Sequence, residues 1–226
     1  MPSPIRIIDT GDGSHSLRQD DLNENYHSWH GALTESRYVY IEQGLSAYRN
    51  NPLEICIGEI GHGSGLNAAL AIGYALDNNM TLRYVGLDPF PIPNELLKQL
   101  NYPERMHDNE ARAFSFLCDA EWDKELQMEL SIQIKKIKES IQKFDISSYA
   151  ESMDLIFFDA FGPEKQPEMW TPDVLKKCAD LLKPGGKMVT YCAKGQFKRD
   201  LKSMGFRVET LPGPPGKREM VRAVKL

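Results

Sequence analysis

Short, nearly continuous apolar runs alternate along this chain with stretches whose apolar residues recur every three or four positions. The runs at 53–58, 82–88, 129–134, 153–159, 187–192, 206–211 and 220–224 have the length and content of buried strands. Between them, 66–72, 94–100, 104–122, 135–143, 171–182 and 196–204 read as helices. Thr171-Pro172-Asp173 pairs a capping hydroxyl with proline at the first helical position, and Lys183-Pro184-Gly185-Gly186 stops that helix. Alternation of this kind predicts an α/β fold. Seven strands in a mainly parallel sheet, helices on both faces and a final antiparallel strand are expected, because the last two runs follow each other with no helix between them.

The first 50 residues do not fit the alternation. Runs at 5–8 and 15–18 flank Gly11-Asp12-Gly13-Ser14 and read as a hairpin. A polar stretch dense in functional side chains follows at 20–32, and Tyr38, Ile41, Leu45 and Tyr48 then mark a helix over 34–48. The pattern therefore divides the chain into an N-terminal extension, 1–50, placed to cover a site, and a core, 51–226.

The strand at 53–58 meets Glu59, and Gly61, Gly63 and Gly65 lead directly into a helix. Glycine lets a backbone approach a ligand more closely than any Cβ allows, and a helix start presents unpaired N–H groups. The loop is read as a site for a nucleotide-like molecule, against the plainer alternative of a strand-to-helix turn. A dinucleotide fingerprint needs glycine at position 66, where Leu66 stands, and a phosphate-binding loop needs a following Gly-Lys-Ser/Thr, which is absent. What remains, Glu59-x-Gly61-x-Gly63-x-Gly65, resembles the first motif of the S-adenosylmethionine-dependent methyltransferases. Asp88 ends the second strand of the core, where nucleotide-binding folds hold ribose hydroxyls, and Asp159 ends a strand at the edge where open α/β sheets bind ligands.

Composition narrows this reading. At 226 residues, 41% hydrophobic and 26% charged, the chain suits one large globular domain. No run approaches the roughly 20 apolar residues of a membrane span, and the first dozen residues lack the pattern of a signal peptide, so a cytoplasmic location is expected. Cys56, Cys118, Cys178 and Cys192 are scattered singly and read as reduced. His27 and His30 have the spacing of one helical turn but no third ligand nearby, so no metal is expected. Charge is uneven: residues 183–226 carry eleven Lys or Arg against three acidic residues in a chain of net charge −5. That asymmetry suits a one-sided phosphate-binding face, or a solvated surface with no partner.

The ordered set Asp12-Gly13-Ser14, Tyr26-His27-Ser28, Gly31-Ala32-Leu33-Thr34-Glu35-Ser36, Glu59 to Asn67, Asp159-Ala160-Phe161-Gly162-Pro163, Pro167-Glu168-Met169-Trp170, Thr190 to Gly195 and Gly216-Lys217-Arg218-Glu219-Met220 resembles one family across nearly the whole chain. These are the tRNA 5-methylaminomethyl-2-thiouridine methyltransferases, called MnmD when free-standing and forming the N-terminal half of bifunctional MnmC. The resemblance implies a Rossmann-like class I methyltransferase fold. It implies methyl transfer from S-adenosylmethionine to the amine of 5-aminomethyl-2-thiouridine at the tRNA wobble position, with a separate enzyme supplying that substrate. Asp159 matches the family's catalytic aspartate; Glu59, Gly61, Gly63, Gly65 and Asn67 belong to the cofactor loop, and Asp88 takes the ribose contact. Because the chain ends at Leu226, the flavin oxidoreductase half of MnmC is not expected. Two departures stand out. Family members often carry glutamate where Asp88 stands, and Lys135-Lys136 follows the third strand where an acidic residue near adenine is usual, leaving the adenine contact unassigned.

An amine acceptor must shed a proton before its nitrogen attacks, and a carboxylate beside it serves that need; the alternative role for Asp159 is a strand-end turn cap. Tyr26, His27 and Glu35 are candidates for the wall around the nitrogen, or else packing and hydrogen-bonding residues of the N-terminal cover, and Phe161 is a further candidate substrate contact. Lys194, Lys198, Arg199, Lys217 and Arg218 are candidate phosphate contacts. Two other readings stay open: a small-molecule methyltransferase or aminopropyltransferase on the same fold, and a non-catalytic RNA-binding module that retains it.

Overall fold

The computed structural model describes residues 5–50 and 53–226. The expected boundary between extension and core, at 50/51, borders residues outside that set. Strand β1 (Ile5–Asp9), β2 (His15–Gln19) and the two-residue β3 (Glu24–Asn25) form a small antiparallel sheet. The expected hairpin is therefore present with a third strand added. Next, α1 (Ala32–Ser36) runs directly into a π-helical turn, Arg37–Glu42, and Leu45–Tyr48 is 3₁₀. The expected helix over 34–48 is thus three short pieces of different pitch.

The main sheet is built from β4 (Ile55–Ile60), β5 (Leu82–Leu87), β6 (Glu125–Glu129), β7 (Ile132–Ile137), β8 (Met153–Phe158), β9 (Leu182–Thr190), β10 (Phe206–Pro212) and β11 (Glu219–Lys225), in the spatial order β10-β11-β9-β8-β4-β5-β7-β6. The β9-β8-β4-β5-β7 block is parallel, and β11 runs antiparallel to both of its neighbours. Eight strands rather than seven result, because β6 adds an antiparallel edge to β7. Its sequence, Glu125-Leu126-Gln127-Met128-Glu129, is half solvated, as befits an edge strand.

The helix expected over 135–143 is not formed. Lys135 and Lys136 are paired with β5 inside β7, and Lys136 is buried, its Nζ donating to the Leu117 carbonyl at 2.7 Å beside the Trp122 ring. A lysine held in the interior by one carbonyl and one aromatic face disguises a strand that is otherwise Ile-rich. Burial also lowers its pKa to about 8.

Helix α2 (Leu66–Asp77) is buried along most of its length and packs against α5 (Asp108–Asp119), which is reached through the short α3 (Asn94–Leu97) and α4 (Tyr102–Arg105). A capping box formed by His107 and Glu110 starts α5. Helices α6 (Pro172–Leu181) and α7 (Gly195–Ser203) follow a 3₁₀ turn at Pro167–Trp170. Two apolar clusters result. One joins α2 and α5 to Leu17, Leu33, Val39, Tyr40 and Leu45 of the first 50 residues; the other gathers Phe158, Trp170, Leu175, Phe197 and Ala223. The N-terminal segment thus shares the core of the sheet it covers. Among the described residues, no helix is long and apolar enough to cross a membrane.

Candidate functional site

The carboxyl ends of β4, β5, β7 and β8 converge, and the loops that follow them line a cleft. Ligand sites of open parallel sheets form at this edge. The β4 loop contributes Gly61, His62 and Gly63, the β5 loop Asp88, Pro89 and Phe90, the β7 loop Glu139, Ser140 and Ile141, and the β8 loop Asp159, Ala160 and Phe161. Tyr26 and His27 of the N-terminal segment close one side. The Tyr26 ring stands edge-on to Phe161 at 5.0 Å, and His27 Nε2 lies 3.1 Å from the Ser64 hydroxyl. That enclosed imidazole is held at a pKa of about 4 by burial. His30 packs its ring against Gly216.

Close approach of two backbones dictates Gly61. Its φ is +90°, and a Cβ at that position would sit 2.6 Å from the Asp159 carbonyl oxygen. The β4 loop is thereby pressed against the β8 loop, and Gly65, at φ 77°, turns the chain into α2.

Asp88 lies at the mouth of β5. Its Oδ2 accepts the Gly63 N–H at 2.8 Å and its Oδ1 the Phe90 N–H at 2.9 Å, which locks the carboxyl between two loops of the cleft. Burial raises its pKa even so. Each oxygen retains a lone pair for a ligand hydroxyl.

Asp159 is gripped from both sides. The Tyr40 hydroxyl donates to Oδ1 at 2.6 Å and the Asn67 amide to Oδ2 at 2.7 Å. Burial nevertheless dominates, and the carboxyl is pushed up to a pKa of about 7, with Glu59 and Glu35 adding in the same direction. Glu59 is fully buried; it accepts Asn67 Nδ2 at 3.0 Å and faces His62 Nδ1 at 3.0 Å.

A second cavity opens beyond Phe161, lined by Gly162, Pro163, Glu164, Tyr191, Lys194 and Lys217 among others. Successive residues of the single loop after β8 therefore face the two cavities in turn. The Tyr191 hydroxyl donates to the Ala160 carbonyl at 2.8 Å, and Lys217 Nζ lies 3.7 Å above the Tyr191 ring.

Of the residues expected at the site, Tyr26, His27, Gly61, Gly63, Asp88, Asp159 and Phe161 line the cleft, and Lys194 and Lys217 line the second cavity. Others lie elsewhere. Glu59 and Asn67, expected to touch a cofactor, stand behind the loop: the first is 0% and the second 2% exposed, and their polar groups serve His62, each other and Asp159. Glu35 lines neither cavity; it accepts the Ser28 N–H and the Lys217 ammonium, an ion pair that ties α1 to the β10–β11 loop. Lys217 is thereby drawn inward from the exposed position expected for a phosphate contact. Lys194 pairs with Glu164 and Lys198 with Glu219, so of the proposed phosphate contacts Arg199 and Arg218 are the two with no acidic partner among the described residues. Sequence reasoning missed Tyr40, whose hydroxyl reaches Asp159 across 119 positions, and the cleft residues Glu139 and Ile141. Glu139 is an acidic side chain that follows β7, which extends to Ile137, and it lines the cleft.

The fit to S-adenosylmethionine rests on this architecture: apolar walls from Ile60, Leu87, Ile141 and Met169, a loop with glycine at 61, 63 and 65, and a fixed carboxyl at the end of the second parallel strand. Comparisons with known proteins agree. The chain is similar to the tRNA 5-methylaminomethyl-2-thiouridine biosynthesis bifunctional protein MnmC of Cupriavidus necator, at 29% identity over 92% of this chain and 32% of that protein. The MnmC of Aeromonas salmonicida is 28% identical over 89% and 32% respectively. The chain spans about a third of the length of these curated relatives. The crystal structure of MNMC2 from Aquifex aeolicus shares the fold, with a TM-score of 0.81 at 24% identity over 98% of this chain and 70% of that one. The CurJ carbon methyltransferase shares it more loosely, at a TM-score of 0.53 and 15% identity over 88% and 56%. Residues 106–226, more than half of the chain, match the model of the S-adenosyl-L-methionine-dependent methyltransferases, and the chain belongs to that family.

Proposed function

We propose that this protein methylates the amine of 5-aminomethyl-(2-thio)uridine at the wobble position of tRNA, in the cytoplasm, on a substrate made by a separate enzyme. The observation that carries the reading is Asp159: an enclosed carboxyl with a pKa near neutrality, on the loop that divides the cleft from a second cavity. The names of the similar MnmC proteins support the acceptor.

In this reading the cofactor occupies the first cleft, with the Gly61–Gly63 backbone, Asp88, Glu139 and Ile141 holding it. When bound, it supplies an electrophilic methyl group. The acceptor base enters the second cavity beside Tyr191, and its aminomethyl arm reaches past Phe161 to Asp159. An aminomethyl group is a cation at neutral pH and cannot attack until it sheds a proton. Asp159 accepts that proton, and a pKa of about 7 keeps a large fraction of it ionised under working conditions. Tyr26 and Phe161 exclude water and hold the nitrogen in line; positioning of this kind is equivalent to effective molarities of roughly 10⁵ M or more. Arg199 and Arg218 contact RNA phosphates.

The test is nucleoside mass spectrometry of tRNA from cells lacking the protein, complemented with wild type or with Asp159→Asn. Aminomethyl-uridine should accumulate without the gene, disappear with wild type and persist with the variant, while the purified variant still binds S-adenosylhomocysteine. An unchanged nucleoside profile in the deletion sinks the acceptor assignment. A second reading, a small-molecule methyltransferase, is favoured by one observation: Lys194, Lys198 and Lys217 are all neutralised within the molecule. A tRNA-binding measurement at low salt separates the two, since that reading requires none.

A further inference from the structure

Tyr40 comes from an irregular part of the fold. Helix α1 ends in a π-helical turn over Arg37–Glu42, where the Gln43 N–H donates back five residues to the Tyr38 carbonyl at 3.0 Å. A π turn is poorer than the α-helix it interrupts, and such turns are frequent at functional sites because the inserted residue re-aims a side chain. Here the re-aimed side chain is Tyr40, which is 1% exposed, packs its ring 5.0 Å from that of Phe157, and delivers its hydroxyl to Asp159 Oδ1. Asn67, on the first turn of α2, delivers the opposing donor to Oδ2. Both oxygens of one carboxylate are thus met by neutral donors from two separate helices. Other ionisable groups around it are acidic or phenolic: Glu59 of β4, Tyr84 of β5, Glu35 of α1 and Tyr191 after β9, the cation of Lys217 being committed to Glu35. Both donors favour the ionised form of Asp159.

We infer that Tyr40, with Asn67 opposite it, is a positioning residue for methyl transfer, holding Asp159 in one orientation and keeping it ionisable at neutral pH. The inference rests on Asp159 being the base, as proposed above. A hydrogen bond donated to a carboxylate favours the charged form, so losing one must raise the pKa. A tyrosine present only to fill the core would leave the carboxyl's titration alone when its hydroxyl is removed.

Tyr40→Phe tests this, since it deletes one oxygen and leaves the ring packing in place. Two measurements on the full chain are needed: the titration of Asp159 Cγ by carbon NMR in the cofactor-free protein, and the pH profile of kcat on aminomethyl-uridine tRNA. The expected result is an NMR pKa on the order of one unit higher than wild type. The acid limb of kcat should move up in step, and the rate should recover toward wild type at high pH. Asn67→Ala should move the same titration in the same direction. An unmoved Asp159 titration in folded Tyr40→Phe overturns the inference, as does a loss of rate that is equal at every pH. If the NMR titration moves and the kcat limb does not, Tyr40 does not act in the transfer through Asp159; if Asp159→Asn is also fully active, the fault lies in the base assignment.

Discussion

Replacing Gly61 by alanine tests the architecture at its tightest point. The backbone there has φ +90°, outside the regions an L-residue occupies comfortably, and the added Cβ would lie 2.6 Å from the Asp159 carbonyl oxygen, against an ordinary contact of 3.4 Å or more. A left-handed backbone costs roughly 1–2 kcal/mol for a residue with a Cβ, and forcing an atom into a packed site costs roughly 1–3 kcal/mol more. A total of about 3 kcal/mol is expected, which lowers the melting temperature by about 6–12 °C for a domain of this size. The strain is relieved only by parting the β4 and β8 loops. Relief therefore moves Asp159 and opens the floor of the cleft, so cofactor affinity should fall at least about tenfold, equivalent to about 1.4 kcal/mol. Thermal unfolding and calorimetric titration with S-adenosylhomocysteine measure the two effects. Gly58→Ala is the internal control: it lies three residues away in β4, and its Cβ would meet only Met153 and Ile156 side chains, at 3.6 Å and beyond. Wild-type stability and affinity in Gly61→Ala, or equal losses in both variants, would show that loop contact does not shape the site.

Other expectations concern charge. His27 is neutral in the fold, with a pKa of about 4 against about 6.5 when unfolded, so the unfolded chain takes up its proton first and stability drains as pH falls through that window. His27→Asn should flatten the fall in melting temperature between pH 6.5 and 4; an unchanged slope contradicts the burial argument. Arg218→Ala, which leaves no acidic partner behind among the described residues, should weaken tRNA binding and reduce its salt dependence by about one phosphate contact. Lys198→Ala should do less, because Glu219 already holds that ammonium at 3.1 Å, and the opposite ranking would contradict this account of the basic face.

Local signals carried far in this chain. The run into Glu59 and the glycines after it specify a strand, a close-approach loop and a helix through short-range sterics alone, and the structure forms β4, that loop and α2 there. The apolar run ending in Asp159 likewise announced a strand with its acid at the ligand edge. Where the local pattern misled, a long-range partner was responsible. Lys136 hides β7 because its ammonium is satisfied by the Leu117 carbonyl and the Trp122 face, neither visible in a window centred on it. Periodicity over Tyr38, Ile41, Leu45 and Tyr48 suggested one helix and gave no sign of the π turn that aims Tyr40.

Charge counts along the chain showed a basic C-terminal stretch, but only folding decided that Lys217 would meet Glu35, 182 positions away, and that Lys194 and Lys198 would be neutralised by Glu164 and Glu219. The sequence by itself determined the α/β alternation, the glycine loop and the two strand-end aspartates, because backbone sterics and apolar periodicity act over a few residues. The tertiary structure alone decided which groups surround Asp159, and with them its titration near neutrality, because burial and hydrogen bonding are properties of a place that α1, α2, β4 and β8 create only when packed together.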